Sequence, residues 1–405
     1  MSREALDRQR MQQALGLAFD AIGISEPNPR VGCVIGTEDG RVLGIGNTQQ
    51  AGGPHAEIVA LRVAASAGHT LRGATAWITL EPCAHHGRTP PCCDALVEQK
   101  LARVVVALQD PFPGVCGQGI ARLRAAGIQV DVAPVDLAAA AWALNIGFFS
   151  RVLRKRPYVR LKLASTLDGR TSLENGVSQW ITGEAARADG HAWRRRASAL
   201  LTGIGTVLAD NPRLDVRLMP SSWQPLRVVV DSALRLPVDA RLLPAPGAVL
   251  VASAHPDGCR LASLRALGAE VLDLPSRPMA GSRPAVDLSA LLGALAERGV
   301  NELHVEAGPT LNASLLAGGW VDELLVYVAP SVVGPGRGMV TWPPLQTLEQ
   351  GSAWLFKSAV PFGDDLRLLL KPRNADFDHT FAARSGVEKL YTPDPITFGG
   401  ASLSD

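Results

Sequence analysis

The residues best suited to chemistry lie between positions 55 and 92. His55-Ala56-Glu57 opens this stretch, and Glu81-Pro82-Cys83 and Cys92 close it. One histidine and two cysteines can hold a zinc ion and leave its fourth coordination position open. The glutamate two residues after the histidine has the place of a general acid/base rather than that of a ligand. This pattern indicates a zinc-dependent deaminase, in which a metal-activated water attacks an amino-bearing ring carbon.

The elements predicted around these residues explain how they could meet. A helix over about 55–67 puts His55 and Glu57 in its first turn, a strand over 74–80 leads into Cys83, and a second helix begins near Pro91. Helix N-termini carry unsatisfied N–H groups and a partial positive charge, which favour thiolate over thiol. Two thiolates and a neutral imidazole would hold Zn²⁺ without net charge.

A structural zinc site with a fourth protein ligand is the main alternative. Cys93 or His85 could supply that ligand, and spacing alone does not decide between Cys92 and Cys93. The catalytic interpretation is preferred because the structural one gives Glu57 no role. The remaining cysteines, Cys33, Cys116 and Cys259, are predicted to be packing residues.

Composition narrows the class of protein. With 405 residues, 47% of them hydrophobic and 19% charged, the chain is predicted to be a globular enzyme of two or three domains. A net charge of +2 gives no argument for nucleic acid as a partner, and no apolar run is long enough for a bilayer. The charged first ten residues lack a signal core, and six cysteines are too few for a disulfide framework. We therefore expect a cytoplasmic enzyme that binds neither nucleic acid nor membrane.

Alternating helices and strands predict two α/β domains, over residues 1–150 and 158–373. A basic segment, 151–157, is interpreted as the linker between them, and the polar segment 374–405 as a tail of unknown role. In the second domain a predicted strand ends at Val305 and the small-residue turn at Gly308 follows at once. Such a turn can present backbone N–H groups to a phosphate, although many α/β connections share it and no Rossmann fingerprint is present.

Longer segments resemble the bifunctional deaminase–reductase family of riboflavin biosynthesis. The similar segments of the first half are Pro27–Ile35, His55–Glu57 and Thr79–Cys92, and those of the second half are 162–171, 178–182, 206–210, 305–310 and 321–324. General cytidine deaminases close the zinc site with Cys-x-x-Cys, whereas here the second cysteine comes nine residues after the first. The resemblance implies a cytidine-deaminase-like N-terminal domain, a dihydrofolate-reductase-like C-terminal domain that uses NADPH, and Cys92 as the ligand.

The resemblance also implies a substrate and its contacts. The first domain would deaminate 2,5-diamino-6-(5-phosphoribosylamino)pyrimidin-4-one, and the second would reduce its ribosyl side chain to ribityl. Implied in the deaminase are the zinc ligands His55, Cys83 and Cys92, the catalytic Glu57, and the substrate contacts Asn28, His85 and Arg88. Implied for the reductase substrate are Lys162, Ser178, Arg194, Leu214, Arg217 and Glu306. Implied for NADPH are Ala164, Trp180, Thr206, Asp210, Ser232, Gly308, Pro309, Thr310, Leu311, Asn312, Ala313 and Ser314.

Some of these residues suit a particular role. Arg194 and Arg217 could clamp the sugar 5-phosphate, and Lys162 and Asp210 could assist sugar opening or protonation. Taken singly, the arginines could equally be solvated at the surface and Trp180 packed in a core. One position departs from the family: Thr48 stands where a histidine usually precedes the zinc histidine by seven residues. A hydroxyl can replace one hydrogen bond but carries no charge, so substrate affinity or pH behaviour should differ there.

Two other functions compete with this one. The chain could deaminate another base or a tRNA and carry a regulatory nucleotide-binding domain. It could also be a zinc-stapled nucleotide sensor without catalysis. The modest net charge and the long insertion between the two cysteines favour the riboflavin enzyme, which we expect to act on a small molecule as a homo-oligomer.

Overall fold

The structure is a computed structural model that describes residues 1–84, 91–112, 115–256, 258–277, 285–373 and 377. The chain divides into two compact units. The first holds Met1–Pro157 with Leu295–Asn301, and the second holds Tyr158–Ala294 with residues 302–373. The division after Pro157 coincides with the end of the predicted linker, and the other predicted domain limits stay predictions.

The first unit is built on a five-stranded sheet of order β2-β1-β3-β4-β5. Strand β1 runs antiparallel to both of its neighbours, while β3, β4 and β5 are parallel. Its strands are β1 (Gly32–Gly36), β2 (Val42–Asn47), β3 (Thr75–Ile78), β4 (Arg103–Val106) and β5 (Gln129–Val132). Its helices are α1 (Arg3–Asp20), α2 (Ala56–Ser66), α3 (Cys92–Glu98), α4 (Gln118–Ala125), α5 (Val135–Leu144) and α6 (Ile146–Arg154).

Two glycines of β2 let α2 lie directly on the sheet. A Cβ at Gly44 would lie 2.2 Å from the carbonyl oxygen of Ala60, and one at Gly46 would lie 2.3 Å from that of Ala56. No side chain fits at such distances, so the residue type at these two positions sets the height of α2 above the strand. The start of that helix carries His55 and Glu57.

The apolar run of the sequence predicts a single helix over 137–149. This prediction is wrong, because the chain forms α5 and α6 with Asn145 between them. The side chain of Asn145 accepts the backbone N–H of Arg30 at 2.7 Å and donates to its carbonyl at 2.9 Å. This contact joins residues 115 positions apart and holds Asn145 at a helix end. Helix α6 then continues to Arg154, so the predicted linker 151–157 is helical over its first four residues.

The second unit is built on a nine-stranded sheet of order β11-β10-β9-β8-β14-β6-β15-β18-β17. The first seven strands in this order are parallel to one another. Strand β18 runs antiparallel to β15, and β17 runs antiparallel to β18. The strands from Tyr158 onward are β6 (Tyr158–Thr166), β7 (Arg170–Leu173), β8 (Ala199–Gly203), β9 (Leu226–Val230), β10 (Val249–Ser253), β11 (Glu270–Asp273), β12 (Ser276–Arg277), β13 (Ala285–Val286), β14 (Glu302–Val305), β15 (Glu323–Ala329), β16 (Gly336–Gly338), β17 (Trp354–Phe362) and β18 (Asp365–Pro372). The helices are α7 (Glu184–Arg196), α8 (Ile204–Asp210), α9 (Gly258–Ala266), α10 (Leu288–Glu297) and α11 (Pro309–Ala317).

The cysteines outside the metal segment do not all behave as predicted. Cys33 is fully buried in β1, as expected of a packing residue, but Cys116 and Cys259 are exposed, so their prediction is wrong. None of the six cysteines, all of which lie in the described ranges, forms a disulfide. Within the described ranges, no helix combines the length and apolar character needed to span a bilayer.

Candidate active sites

His55, Cys83 and Cys92 are brought together in the first unit. Their candidate ligand atoms lie within 4.8 Å of one another, and Nδ1 of His55 is 3.6 Å from Sγ of Cys83 and 3.3 Å from Sγ of Cys92. His55 is the N-cap of α2, Cys92 opens α3, and Cys83 lies in the loop after β3. Among the described residues this is the only such group of possible metal ligands. Two sulfurs and one imidazole nitrogen fit zinc and leave a coordination position for a reactant.

The two neighbouring cysteines of α3 have different partners: the sulfur of Cys92 lies beside His55, and that of Cys93 lies beside Asp94. The backbone N–H of Cys92 donates to Sγ of Cys83 at 3.3 Å. Hydrogen bonding from the Cys92 thiol, helped by His55, outweighs burial and lowers the pKa of Cys83, and the same hydrogen bond raises the pKa of Cys92. The sulfur of Cys93 instead lies 4.0 Å from the Asp94 carboxylate, and Cys93 is not among the residues whose candidate ligand atoms lie within 4.8 Å of one another. Cys93 therefore stays outside the ligand group.

Glu57 lies at the start of α2, two residues after His55, and its side chain is buried. Burial, followed by the charge of Cys83, raises the pKa of Glu57 to about 7. A carboxyl that titrates near neutrality can both accept and donate a proton under working conditions. The position and the environment of Glu57 thus suit a general acid/base.

Glu81 holds the loop that carries Cys83, a role that the sequence did not reveal. Its buried carboxylate accepts backbone N–H groups from Asp110 at 3.1 Å, Gly117 at 2.9 Å and Ile120 at 3.0 Å. These donors are 29 to 39 residues away in the chain. The only local signal was a charged residue directly before Pro-Cys in an otherwise apolar strand end.

The predicted contacts of the deaminase substrate are described only in part. Thr48 is buried, and its hydroxyl accepts the backbone N–H of Val31 at 3.1 Å, so it supports the chain beside β1. Asn28 is half-buried in the turn after α1, where its N–H donates to the carbonyl of Ser25 at 2.8 Å. The predicted contacts His85 and Arg88 lie outside the described residues.

In the second unit, charged residues cluster where β14 ends. The carboxylate of Glu306 accepts two N–H groups from Arg194 of α7, at 2.5 and 2.8 Å, and Arg194 donates a third to the carbonyl of Asp215 at 3.0 Å. Burial favours the neutral form of Glu306, but Arg194, the imidazole of His304 3.4 Å away and Lys162 outweigh it and hold its pKa well below the usual range. Burial also lowers the pKa of Lys162 on β6, and Glu306 partly offsets this.

The hydrogen bonds of Arg194 to Glu306 and Asp215 limit its predicted role as a clamp on the sugar phosphate. Three of its five guanidinium N–H groups donate to Glu306 and Asp215, and Nη1 also lies 3.5 Å from Nε2 of His191, so the protein already uses most of the group that a clamp would need. The alternative role for Arg194, that of a solvated surface residue, is excluded because only 14% of its side chain is exposed.

Arg217 is the more accessible of the two predicted clamps. Its side chain is 42% exposed and pairs with Asp215 at 2.8 Å, and its backbone N–H donates to Nδ1 of His191 at 3.2 Å. His191, to which the sequence assigned no role, therefore fixes the backbone of this segment. The buried Asp215 also pairs with Arg213 at 2.6 Å.

Leu214, a predicted contact of the reductase substrate, has its side chain in the core. It is 2% exposed and packs with Ala197 and Leu200, with a φ of 51° that side-chain-bearing residues seldom adopt. Any contact with a substrate would therefore come from its backbone.

Two strand-to-helix turns meet at one edge of the larger sheet. Strands β8 and β14 are adjacent and parallel, so the turns into α8 and α11 both follow carboxyl ends of strands. A Cβ on Gly308 would lie 3.5 Å from the hydroxyl of Thr206, which shows how close the turns are. No described side chain caps the start of α11, so its first N–H groups are available to an anion. This edge fits the phosphates of a dinucleotide.

Two further predicted NADPH contacts, Trp180 and Asp210, each contact another side chain of the second unit. Trp180 is 66% exposed, with the guanidinium of Arg187 4.6 Å from its ring centroid, which excludes simple core packing. The side chain of Ser178 hydrogen-bonds to Asp210, and burial raises the pKa of Asp210. Ser178, predicted to contact the reductase substrate, therefore lies beside Asp210, predicted to contact NADPH.

Ser232 and Asn312 also make contacts within the protein. The hydroxyl of Ser232, after β9, accepts the N–H of Val286 at 3.1 Å, and the amide of the buried Asn312 donates to the carbonyl of Met339 at 2.9 Å. Ala164 is half-buried on β6. The side chain of Asn312 therefore supports the fold, and a nucleotide could reach only its backbone.

Comparison with known proteins decides the family. The RibD C-terminal domain model matches residues 157–368, and the model of the cytidine and deoxycytidylate deaminase zinc-binding region matches residues 5–108. The riboflavin biosynthesis protein RibD of Escherichia coli is 42% identical over 377 residues, covering 90% of this chain and 99% of that protein. The chain belongs to the RibD family.

Solved structures of RibD proteins share the fold over most of the chain. Acinetobacter baumannii RibD (form 2) has 38% identity and a TM-score of 0.80, covering 92% of this chain and 100% of that one. The Thermotoga maritima diaminohydroxyphosphoribosylaminopyrimidine deaminase/5-amino-6-(5-phosphoribosylamino)uracil reductase has 30% identity and a TM-score of 0.79 over the same shares. The predicted fold, a cytidine-deaminase-like domain followed by a dihydrofolate-reductase-like domain, is confirmed.

The predicted function is confirmed at the level of the family. The chain is a bifunctional deaminase and reductase of riboflavin biosynthesis that acts on a small molecule, with zinc and NADPH as cofactors. The two competing functions, a base deaminase with a regulatory domain and a non-catalytic sensor, leave the reductase domain without an activity and are set aside.

Substitution of each neighbouring cysteine separates Cys92 from Cys93. We expect Cys92→Ser to weaken zinc binding beyond the roughly 10–100-fold that loss of an outer-shell partner costs, because a ligand itself is removed. Cys93→Ser, the matched control, should keep zinc because its sulfur faces Asp94. Metal analysis after dialysis against a weak chelator measures both. Zinc retained by the first variant and lost by the second would place Cys93 in the site.

Proposed function

We propose that the first unit removes the 2-amino group of 2,5-diamino-6-(5-phosphoribosylamino)pyrimidin-4-one as ammonia, and that the second reduces the ribosyl side chain of the product to ribityl. The observation that carries the proposal is the group of His55, Cys83 and Cys92 within 4.8 Å, with the buried Glu57 in the adjoining helical turn. The name of the Thermotoga maritima relative supports the choice of substrate.

In the deaminase, His55, Cys83 and Cys92 would hold zinc, and Glu57 would move the protons. Zinc supplies, when bound, the activation of water for attack on the amino-bearing carbon. The Glu57 carboxylate takes one proton from that water and delivers it to the adjacent ring nitrogen. It then takes the second and delivers it to the amino group, so that the C–N bond breaks, ammonia leaves and Glu57 is again ionised.

In the reductase, the charged cluster at the end of β14 would hold the sugar. Lys162 is the group that we assign to protonating the ring oxygen as the sugar opens, since its lowered pKa makes its proton easier to give. NADPH supplies a hydride to the sugar carbon bonded to nitrogen. Glu306, kept ionised by Arg194, would accept hydrogen bonds from the sugar hydroxyls. Asp210 is the second candidate for proton transfer, beside Ser178.

We also propose a cytoplasmic location and a homo-oligomeric state. Six cysteines without a disulfide among them suit a reducing compartment. Exposed apolar side chains of the second unit, Val332, Leu348 and Phe356, are of the kind that a second copy covers. Light scattering of the purified chain that showed only monomer would exclude the second proposal.

The coupled reaction tests the function directly. With the pyrimidine substrate and NADPH, we expect one ammonia released and one NADPH oxidised per substrate. Removing zinc with a chelator should stop ammonia release, while NADPH oxidation continues when the deaminated product is supplied, because only the first unit uses the metal group. The control is recovery of ammonia release after zinc is returned. No NADPH oxidation with the deaminated product would contradict the reductase assignment.

A further inference from the structure

A buried histidine lies next to the charged cluster of the reductase site. Successive side chains of a strand point to opposite faces, so Glu302, His304 and Glu306 line one face of β14. His304 is paired in register with Arg160 of β6 on one side and with Leu200 of β8 on the other. His304 therefore lies on the central strand of the nine-stranded sheet, two residues before Glu306 and on the same face.

The imidazole of His304 is fully buried, and its hydrogen bonding is incomplete. Among the described residues, neither ring nitrogen meets hydrogen-bond geometry. The nearest carboxylate oxygen is Oε1 of Glu306, 3.4 Å from Nε2. An ordinary hydrogen bond of this kind spans about 2.7–3.2 Å, so a small movement of the Glu306 carboxylate would complete it.

The charges around His304 keep its ring neutral. The groups that face it are Glu306 on its own strand, Arg160 of β6 and Arg194 of α7. Burial, with the two arginines, lowers the pKa of His304, and Glu306 offsets this only in part. Arg160 is itself paired with Glu302 at 2.9 Å, so the nearby carboxylate on the other side is already used. A neutral imidazole has one N–H donor and one acceptor nitrogen.

We propose that His304 is a positioning residue of the reductase, which donates its Nε2–H to Oε1 of Glu306 when the bound sugar draws that carboxylate away from Arg194. The proposal rests on the role given to Glu306 under the proposed function. His304 does not act as the proton donor, because a neutral imidazole that gave up its proton would become an anion in a buried site. A residue present only for packing would need no nitrogen facing the carboxylate.

Two substitutions separate positioning from packing. His304→Leu fills the space without a donor, and His304→Gln places an amide N–H at about the position of Nε2. We expect His304→Leu to raise the KM for the deaminated pyrimidine about 10-fold or more, the size expected for one hydrogen bond to a charged group. The KM for NADPH should stay unchanged, and His304→Gln should restore most of the loss. Equal KM values in wild type and His304→Leu would overturn the proposal.

Matched controls address folding. Leu200→Val changes packing beside His304 without touching the carboxylate and should leave the KM for the pyrimidine unchanged. Ammonia release, which belongs to the first unit, should be normal in every variant. If His304→Leu does not fold, His304→Gln is compared with His304→Asn, whose shorter amide cannot reach Glu306. Equal reductase activity of these two variants would overturn the proposal.

A double-mutant cycle shows whether His304 acts through Glu306. In a Glu306→Gln background, His304→Leu should cause little further loss, since the group that it positions is gone. Losses that multiply independently would overturn the inference. If Glu306→Gln alone leaves NADPH oxidation unchanged, the role proposed for Glu306 itself is wrong, which is a separate result and removes the basis for His304.

Discussion

Glu57→Gln is expected to keep zinc and to lose ammonia release by roughly 10²–10⁴-fold, the usual contribution of a general acid/base. Glutamine has nearly the same shape as Glu57, so the start of α2 and the position of His55 should not change. The amide cannot carry protons from water to the ring nitrogen and the departing amine. Stopped assays of ammonia and metal analysis of the purified variant measure the two quantities.

The control for this prediction is Glu98→Gln. Glu98 is exposed at the end of α3, so its substitution should change neither zinc content nor ammonia release. NADPH oxidation with the deaminated product should be normal in both variants, because the reductase residues belong to the other unit. Ammonia release retained by Glu57→Gln would contradict the assignment of the acid/base.

Glu306→Gln is expected to lower kcat/KM of the reductase by about 100-fold or more. The Glu306 carboxylate accepts two N–H groups of Arg194, and hydrogen bonds to charged groups contribute about 1.5–3 kcal/mol each. Glutamine offers one acceptor oxygen, turns N–H donors toward a guanidinium and removes the charge that balances Lys162. NADPH oxidation with the deaminated pyrimidine as substrate measures the loss.

Glu323→Gln is the matched control for charge removal in the same sheet. Glu323 is 12% exposed and pairs with Arg160, which keeps its second partner Glu302. This variant should lower the melting temperature but leave the KM for the pyrimidine unchanged. Ammonia release should be normal in both variants. If both lose reductase activity equally, general destabilisation rather than a role in the site explains the loss at Glu306.

Elements with strong local signals were predicted with correct bounds. The sequence predicts a helix over Glu184–Arg196 and strands over Leu226–Val230 and Glu302–Val305, because an amphipathic or β-branched run ends at a clear break in each. The structure confirms all three, as α7, β9 and β14. The break at Asn145 was missed because its cause is a hydrogen-bonded contact with Arg30, which no local pattern contains. Tertiary contacts of this kind override helix propensity.

The zinc group could be predicted because its chemistry lies in a few residues of fixed type. Its support could not, since the backbone donors to Glu81 come from a loop distant in sequence. The same holds for Arg194, whose sequence suggested a phosphate clamp but whose structure shows a partner of Glu306. His304 had a visible signal, the alternation with Glu302 and Glu306, which is typical of one polar strand face.

The two glycines of β2 have a consequence for how the deaminase can vary. Gly46 sets the height of the helix turn in which a metal ligand and the proton carrier both lie, so anything larger displaces the two together. Metal affinity and proton transfer therefore both depend on the contact between Gly46 and the backbone of Ala56. A substitution at Gly46 cannot change one of them without changing the other. Substitutions that inactivate the deaminase should accordingly include residues that touch neither zinc nor substrate.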